Sequence, residues 1–183
     1  TQIVGRIGTA GAKMAEFGIN YGIFREAIMV QMTWPGAPTL YYGDEAGVCG
    51  WTDPDNRRTY PWGFEDFELI EYHRYLIDLH KKLPALRRGS LKQLLADRQL
   101  IVYGRMSGAN KCAVIINNRG ESRSVRVPVW ELGITDEDAI TRMMLSDEKG
   151  YNAGRIDYHA DHGWLTLDVP AHSGVLLSSG ALV

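Results

Sequence analysis

The sequence predicts a chain of mixed α and β character, a helix–strand–helix segment over residues 1–88 followed by an antiparallel β-sandwich over residues 89–183. Three observations carry this expectation. Apolar residues recur at helical spacing before Arg88, the period falls to two after it, and the later apolar runs are separated by short turn clusters. With 183 residues, 45% apolar and 23% charged, the chain can fill one good core or two small ones and is too hydrophobic for a disordered tail.

The first predicted element is a helix over Ile23–Met32. Ile23, Phe24, Ala27, Ile28, Met29, Val30 and Met32 place apolar groups on nearly every face, which suits a helix packed on more than one side. Trp34-Pro35-Gly36 ends it, because proline breaks the hydrogen-bond ladder and glycine supplies a free turn. Pro38-Thr39-Leu40-Tyr41-Tyr42-Gly43 then reads as a short buried strand, aromatic and β-branched between breakers. A second helix is expected from about Asp66 to Leu83, with the seam Leu69, Tyr72, Leu76, Leu79 and Leu83 spaced 3, 4, 3, 4 and Pro84 as terminator. These elements need neighbours that some 88 residues do not supply. Either they pack on the β region or they belong to something larger.

Beyond Arg88 the expected strands are Ser90–Leu95, Leu100–Arg105, Lys111–Asn117, Ser122–Val127, Ala139–Leu145, Gly154–Tyr158, Trp164–Val169 and Ser173–Leu177. Asp97-Arg98-Gln99, Ser107-Gly108-Ala109-Asn110, Asn118-Arg119-Gly120-Glu121 and Asp161-His162-Gly163 carry hairpin chemistry between them. Closely spaced strands of this kind fold as an antiparallel sandwich.

Composition excludes several function classes. The net charge is −2 with neither sign massed on one segment, so no nucleic acid is expected as partner. The longest apolar stretches fall far short of the roughly 20 residues a membrane-spanning helix needs, so no membrane partner is expected. Cys49 and Cys112 have no metal-ligand spacing and read as free thiols. His159 and His162 fit a turn better than a metal site, and His73 and His80 share a helix face without a third ligand, so neither a metal nor a cofactor is expected.

The densest polar information lies between Gly43 and Trp62, directly after the expected strand, where ligands gather in α/β folds. Carboxylates and guanidinium forks there can hydrogen-bond paired hydroxyls, and indole faces can stack on sugar faces. The alternative is a plain surface loop whose acids cap turns and whose arginines form solvated ion pairs. Asp44 and Glu45, adjacent on a strand, would point to opposite faces and make a poor catalytic pair.

Gly36-Ala37-Pro38-Thr39-Leu40-Tyr41-Tyr42-Gly43-Asp44-Glu45, followed by Asp53-Pro54-Asp55-Asn56-Arg57-Arg58 and Pro61-Trp62, resembles the stretch around the eighth barrel strand of the α-amylase family of glycoside hydrolases, in its neopullulanase, cyclomaltodextrinase and α-glucosidase branch. Leu79-His80-Lys81-Lys82-Leu83-Pro84-Ala85-Leu86-Arg87-Arg88-Gly89 is similar to that family's last barrel helix and its exit, and the strands beyond resemble its carboxy-terminal β-sandwich, domain C. The resemblance implies that residues 1–88 are the helix–strand–helix tail of a (β/α)8 barrel, a fold of about 250 residues. In the family, an aspartate nucleophile, a glutamate acid/base and a stabilising aspartate perform retaining hydrolysis, with the reacting pair about 5 Å apart. None of the three has a matching position here, although Thr1 could directly follow the family's last His-Asp pair. The resemblance therefore implies a parent enzyme acting on α-glucosidic bonds and a segment inactive by itself, with no catalytic residue of its own.

Substrate contacts do carry over. Asp53 and Arg57 match the Asp and Arg of the family's Asp-Pro-x-Asn-Arg stretch, which looks like the part that hydrogen-bonds glucose units on the non-reducing side of the cleavage point. Glu45 could line the cleft or hold a structural hydrogen bond, and Trp62, like Trp51, is a sugar platform or a core residue. Asp55 and Arg58 read as loop scaffolding. The implied partners are an α-glucan or maltooligosaccharide in the intact parent, the amino-terminal barrel portion, and a second copy if the uncovered faces of Ile23–Met32 and Thr39–Tyr42 drive homodimerisation. The alternative is a non-catalytic carbohydrate-binding or interaction sandwich, using Trp130 or Trp164.

Overall fold

The computed structural model of the chain describes residues 18–51 and 53–180; Thr1 lies outside them. They form two compact units, one of residues 18–20 and 39–75, the other of residues 21–38 and 76–180.

In the first unit, the strand expected over Pro38–Gly43 is not formed. Residues 39–41 are irregular, Tyr41 and Tyr42 are each 47% exposed, and the chain turns into a 3-10 segment at Asp44–Ala46. Its β-branched and aromatic residues favour extended backbone, but a strand also needs a ladder partner, and among the described residues there is none. Asp44 and Glu45 consequently share a 3-10 turn rather than opposite faces of a strand. The unit closes with the start of helix α2 (Phe67–Lys82), where Asp66 accepts the Leu69 N–H at 3.0 Å as an N-cap. Leu69 and Tyr72 are fully buried here, and Leu76, Leu79 and Leu83 continue the same seam in the second unit at 1% exposure or less. The 3-4 spacing thus marks the buried stripe.

The second unit is a sandwich with helices on one side. Helix α1 (Tyr21–Thr33) comes first, and after α2 a short helix, α3 (Pro84–Arg88), starts on the proline that ends its predecessor. The strands are β1 (Ser90–Asp97), β2 (Leu100–Ser107), β3 (Asn110–Asn117), β4 (Arg123–Pro128), β5 (Ile140–Asp147), β6 (Gly150–Asn152), β7 (Ile156–Tyr158), β8 (Trp164–Val169) and β9 (Ser173–Ser179). One antiparallel sheet runs β1-β2-β3-β9-β5-β6, with β7 also paired to β5, and faces a second sheet of β4 and β8. All eight expected strands are present within a residue or two at most ends; β6 is additional. In the Asp161–Trp164 turn, His162 and Gly163 both take positive φ, at 50° and 79°, the geometry that matches hairpin twist.

The core between the sheets is built from Val102, Ile115, Val175 and Leu177 of the large sheet and Val125, Val127, Leu165 and Leu167 of the small one. The large sheet is also covered on its other face, where α1 packs on β5 and β9 and α3 packs on β2 and β3. Double coverage explains why β3 and β9 are buried almost throughout instead of alternating with polar residues. Arg25, Glu26, Ile28, Met29, Met32 and Thr33 of α1 are buried, while Ile23 and Ala27 are exposed. One face of this apolar helix is therefore buried, and Ile23 and Ala27 lie outside it.

Two details of the α1 contact lead to predictions. A Cβ on Gly174 of β9 would sit 2.7 Å from the Met29 sulfur. Gly174→Val is expected to lower unfolding stability by about 2 kcal/mol, as overpacking does; an unchanged urea midpoint would contradict this close approach. Glu26, 3% exposed, accepts a 2.8 Å hydrogen bond from the Asn118 amide. Burial pushes its carboxyl up from 4.5 to about 7, with the Asn118 bond acting against the rise. Between those values the folded chain holds a proton that the unfolded chain has released, so stability falls as pH rises through this window. Glu26→Gln should leave stability near pH 4.5 little changed and raise it by about 2 kcal/mol at pH 8. Melting curves at the two pH values check this, and parallel profiles for the two proteins would contradict it.

Polar bonds complete the α1 attachment. Arg105 of β2, 1% exposed, donates to the Thr33 carbonyl at 2.6 Å and to the Gly89 carbonyl at 2.9 Å. The Thr33 and Tyr103 hydroxyls are 2.6 Å apart, and burial pushes the Tyr103 phenol up to about 12. His80 Nδ1 donates to the Met32 carbonyl at 2.7 Å. Arg105 and His80 thereby satisfy the Thr33 and Met32 carbonyls at the C-terminus of α1, which lack intrahelical partners. No helix among the described residues is long and apolar enough to cross a membrane.

Candidate functional site

The segment from Gly43 to Trp62 is held from inside by Asp55 and Arg58. Asp55 is 9% exposed. Its carboxylate accepts Nε and Nη2 of Arg58 at 3.1 and 3.0 Å and the Trp51 N–H at 2.9 Å. This fork bridges residues three apart, while the Trp51 bond draws the loop back across the 3-10 turn Asp55–Arg57. The hydrogen bond from Arg58 is the main reason the Asp55 carboxyl lies below the ordinary carboxylate range; burial opposes it, and the Arg58 charge and the Trp51 N–H reinforce it. The Tyr42 hydroxyl donates to the Arg58 carbonyl at 2.9 Å. Asp55 and Arg58 are thus the loop scaffold that their positions suggested.

Asp53 and Arg57 lie on the same turn but outside the clamp. They form an ion pair with each other, and both side chains are well over half exposed. Such a pair adds little stability. Chemically it offers a carboxylate acceptor and a planar donor fork side by side toward solvent, a complement to neighbouring hydroxyls.

Glu45 turns inward, its Oε2 accepting the Gly43 N–H at 3.0 Å, and it is also hydrogen-bonded to Tyr60. Burial, followed by the charges of Glu45 and Glu65, raises the Tyr60 phenol above its usual value. Asp44 is raised first by burial and then by the Glu45 charge, with His73 acting against both. His73 is 2% exposed and donates Nδ1–H to the Leu69 carbonyl at 2.7 Å; the carbonyl can only accept, which settles the proton's position. Trp62 is 79% exposed and its ring lies 4.6 Å from that of Tyr60, tilted 49°. Neither Trp62 nor Trp51, at 46%, is a core residue among the described ones, and Phe64 at 89% extends the aromatic surface.

Asp53 and Arg57 are therefore brought together, Trp62 is presented on Tyr60, and Glu45 is engaged by backbone and Tyr60. Tyr60 and the Trp51 N–H are the partners that sequence reasoning missed. A tyrosine two residues before an exposed tryptophan carries no signal of its own, and backbone donors carry none at all. Among the described residues no group of three or more His, Cys, Asp and Glu is arranged to hold a metal ion. Cys49 and Cys112 are not joined in a disulfide, and burial pushes the Cys112 thiol up to about 12.

No protein-family model matches the chain. Individual proteins do. It is 34% identical over 168 residues to neopullulanase 2 of Thermoactinomyces vulgaris, covering 89% of this chain and 26% of that protein. It is 32% identical over 167 residues to an amylopullulanase of Thermoanaerobacterium thermosulfurigenes, covering 84% of this chain and 8% of that one. The crystal structure of a debranching enzyme from Nostoc punctiforme superposes with a TM-score of 0.66 at 28% identity, over 86% of this chain and 29% of that one. The chain thus spans about a quarter or less of these two curated relatives.

Proposed function

The chain belongs to the α-amylase family of glycoside hydrolases, of whose members it matches a part, and we propose that it is the carboxy-terminal part, comprising the end of the catalytic barrel over residues 1–88 and domain C over residues 89–183. The parent cleaves or transfers α-glucosidic bonds with retention. This segment supports the barrel and supplies contacts to glucose units on the non-reducing side of the scissile bond, without hydrolysing anything alone. Asp53 and Arg57 are the hydrogen-bonding pair for those units, Trp62 is a stacking platform, and Glu45 lines the cleft from a position held by Gly43 and Tyr60.

The observation that carries this reading is the division of labour in one turn. Asp55 and Arg58 spend their charges holding the loop, whereas Asp53 and Arg57, at the positions that match the family's substrate stretch, are exposed and bonded only to each other among the described residues. A pair that stabilises little yet sits on a clamped loop supports a role in ligand binding rather than in folding. Ala27 of α1 and Tyr41 and Tyr42 are exposed, and the remainder of such a barrel would cover them. A second copy is the other candidate cover, and light scattering of the purified chain separates monomer from dimer.

The test is a chimera in which this chain replaces the matching segment of the Thermoactinomyces vulgaris neopullulanase 2. Retained release of reducing sugar from maltooligosaccharides is expected. A folded chimera without turnover would overturn the reading.

A further inference from the structure

We propose that the solvent face of the β4–β8 sheet, together with Trp130 beside it, is an α-glucan-binding platform made of residues other than those of the Asp53–Arg57 turn. The choice of an α-glucan as ligand rests on the preceding reading; the platform itself rests on the geometry of the sandwich.

Strand alternation places Val125, Val127, Leu165 and Leu167 in the core and turns Ser124 and Arg126 of β4 and Trp164, Thr166 and Asp168 of β8 outward. The register sets Ser124 opposite Asp168 and Arg126 opposite Thr166. The Arg126 guanidinium lies 4.3 Å over the Trp164 ring. Stacking occupies the flat face of the guanidinium and leaves its N–H edge for hydroxyl acceptors. It also occupies one face of Trp164, so the free sugar-sized ring is the neighbouring Trp130.

Trp130 follows β4 on the 3-10 turn Val129–Leu132 and is 56% exposed. Its backbone N–H donates to the Gly163 carbonyl at 3.0 Å. A Cβ on Gly163 would lie 2.8 Å from the Trp130 Cβ and 3.2 Å from its Cγ and Cδ1, so the indole is bedded on bare backbone. That backbone is fixed in turn: Asp136 accepts the His162 and Gly163 N–H groups at 2.9 and 2.7 Å. Gly163 is required twice, by its φ of 79° and by the ring above it. A large apolar ring seated on backbone while more than half exposed is an arrangement that core packing does not explain.

The chemistry of the face selects its ligand. One indole supplies stacking area, and hydroxyls, a carboxylate and a guanidinium edge supply hydrogen bonds to vicinal diols. Arg126 and Asp168 cancel in charge across the face, which favours a neutral polyol over a polyanion or an acidic peptide.

Titration calorimetry of the 183-residue chain with maltoheptaose, and with cellohexaose as the β-linked control, tests the proposal. Binding with a Kd on the order of 1 mM is expected for maltoheptaose only. Trp130→Ala should weaken it at least tenfold, and Trp130→Phe and Arg126→Ala a few-fold. Because Trp130→Ala alters an exposed group, its melting temperature should match the parent's; if it does not, the Trp130→Phe and Arg126→Ala pair decides. Binding unaffected by the Trp130 and Arg126 substitutions, lost only in Asp53→Ala, equal for cellohexaose, or absent altogether would overturn the platform. None of these outcomes bears on turnover by the chimera, which is where the preceding reading fails or stands.

Discussion

Arg105→Met is expected to destabilise the chain by about 3 kcal/mol, read as a fall in the urea midpoint without a change in slope. Replacing a buried charge with a hydrophobe of similar length is often neutral, because the pair it belonged to is removed with it. Here the partners cannot be removed. They are the carbonyls of Thr33 and Gly89, one at the end of α1 and one at the end of α3, and both remain when the guanidinium is gone. The Thr33 carbonyl belongs to a fully buried residue and would lose its charged donor. Each such loss costs about 1–3 kcal/mol, offset only in part by the relief of desolvating the arginine, whose pKa burial already lowers. Tyr103→Phe, which removes one hydroxyl from the neighbouring Thr33 pair, should cost only about 1 kcal/mol. A melting temperature for Arg105→Met within error of the parent's would show that the bonds to α1 are dispensable.

In the chimera with neopullulanase 2, Arg57→Ala and Asp53→Ala are each expected to lower kcat/KM for maltotriose by about 10- to 100-fold while leaving the melting temperature unchanged. The combination matters more than either half. Among the described residues the two exposed side chains are bound only to each other, so folding loses little when one is cut. A hydrogen bond between a charged group and a substrate hydroxyl is worth about 1.5–3 kcal/mol, which sets the size of the kinetic loss. Asp55→Ala should behave in the opposite sense, loosening the loop by removing the acceptor of Arg58 and of the Trp51 N–H. Should Asp53→Ala and Arg57→Ala leave kcat/KM within twofold, the pair is surface decoration and the substrate role is lost.

The parts of the fold visible in the sequence are those where one physical rule dominates. The α2 seam follows from helical period, and all of its five residues are buried. Hairpins followed from turn chemistry, as at Asp161-His162-Gly163, where residues tolerant of positive φ take it. The Pro38–Gly43 strand does not form because a strand needs a ladder partner as well as local preference, and among the described residues there is none. Three-residue β6 is too short to show a period. Arg105 stood in an alternating run as one more polar residue, and nothing local announces that the end of a helix some seventy residues earlier lies against it. At the site, the motif singled out Asp53 and Arg57, whose proposed substrate role the chimera tests, and Asp55 and Arg58 were expected as loop scaffold, in keeping with the hydrogen bonds between them. The exposure of Trp62 was not, since a tryptophan beside a proline is more often a core residue, and here it is 79% exposed.

The account depends on the reacting acids lying outside this chain. Reducing-sugar release from maltooligosaccharides by the purified 183-residue chain, run beside the active chimera, measures this directly. Sugar release indistinguishable from buffer for the chain, with turnover by the chimera, is the predicted result. Sustained hydrolysis by the chain alone would contradict it.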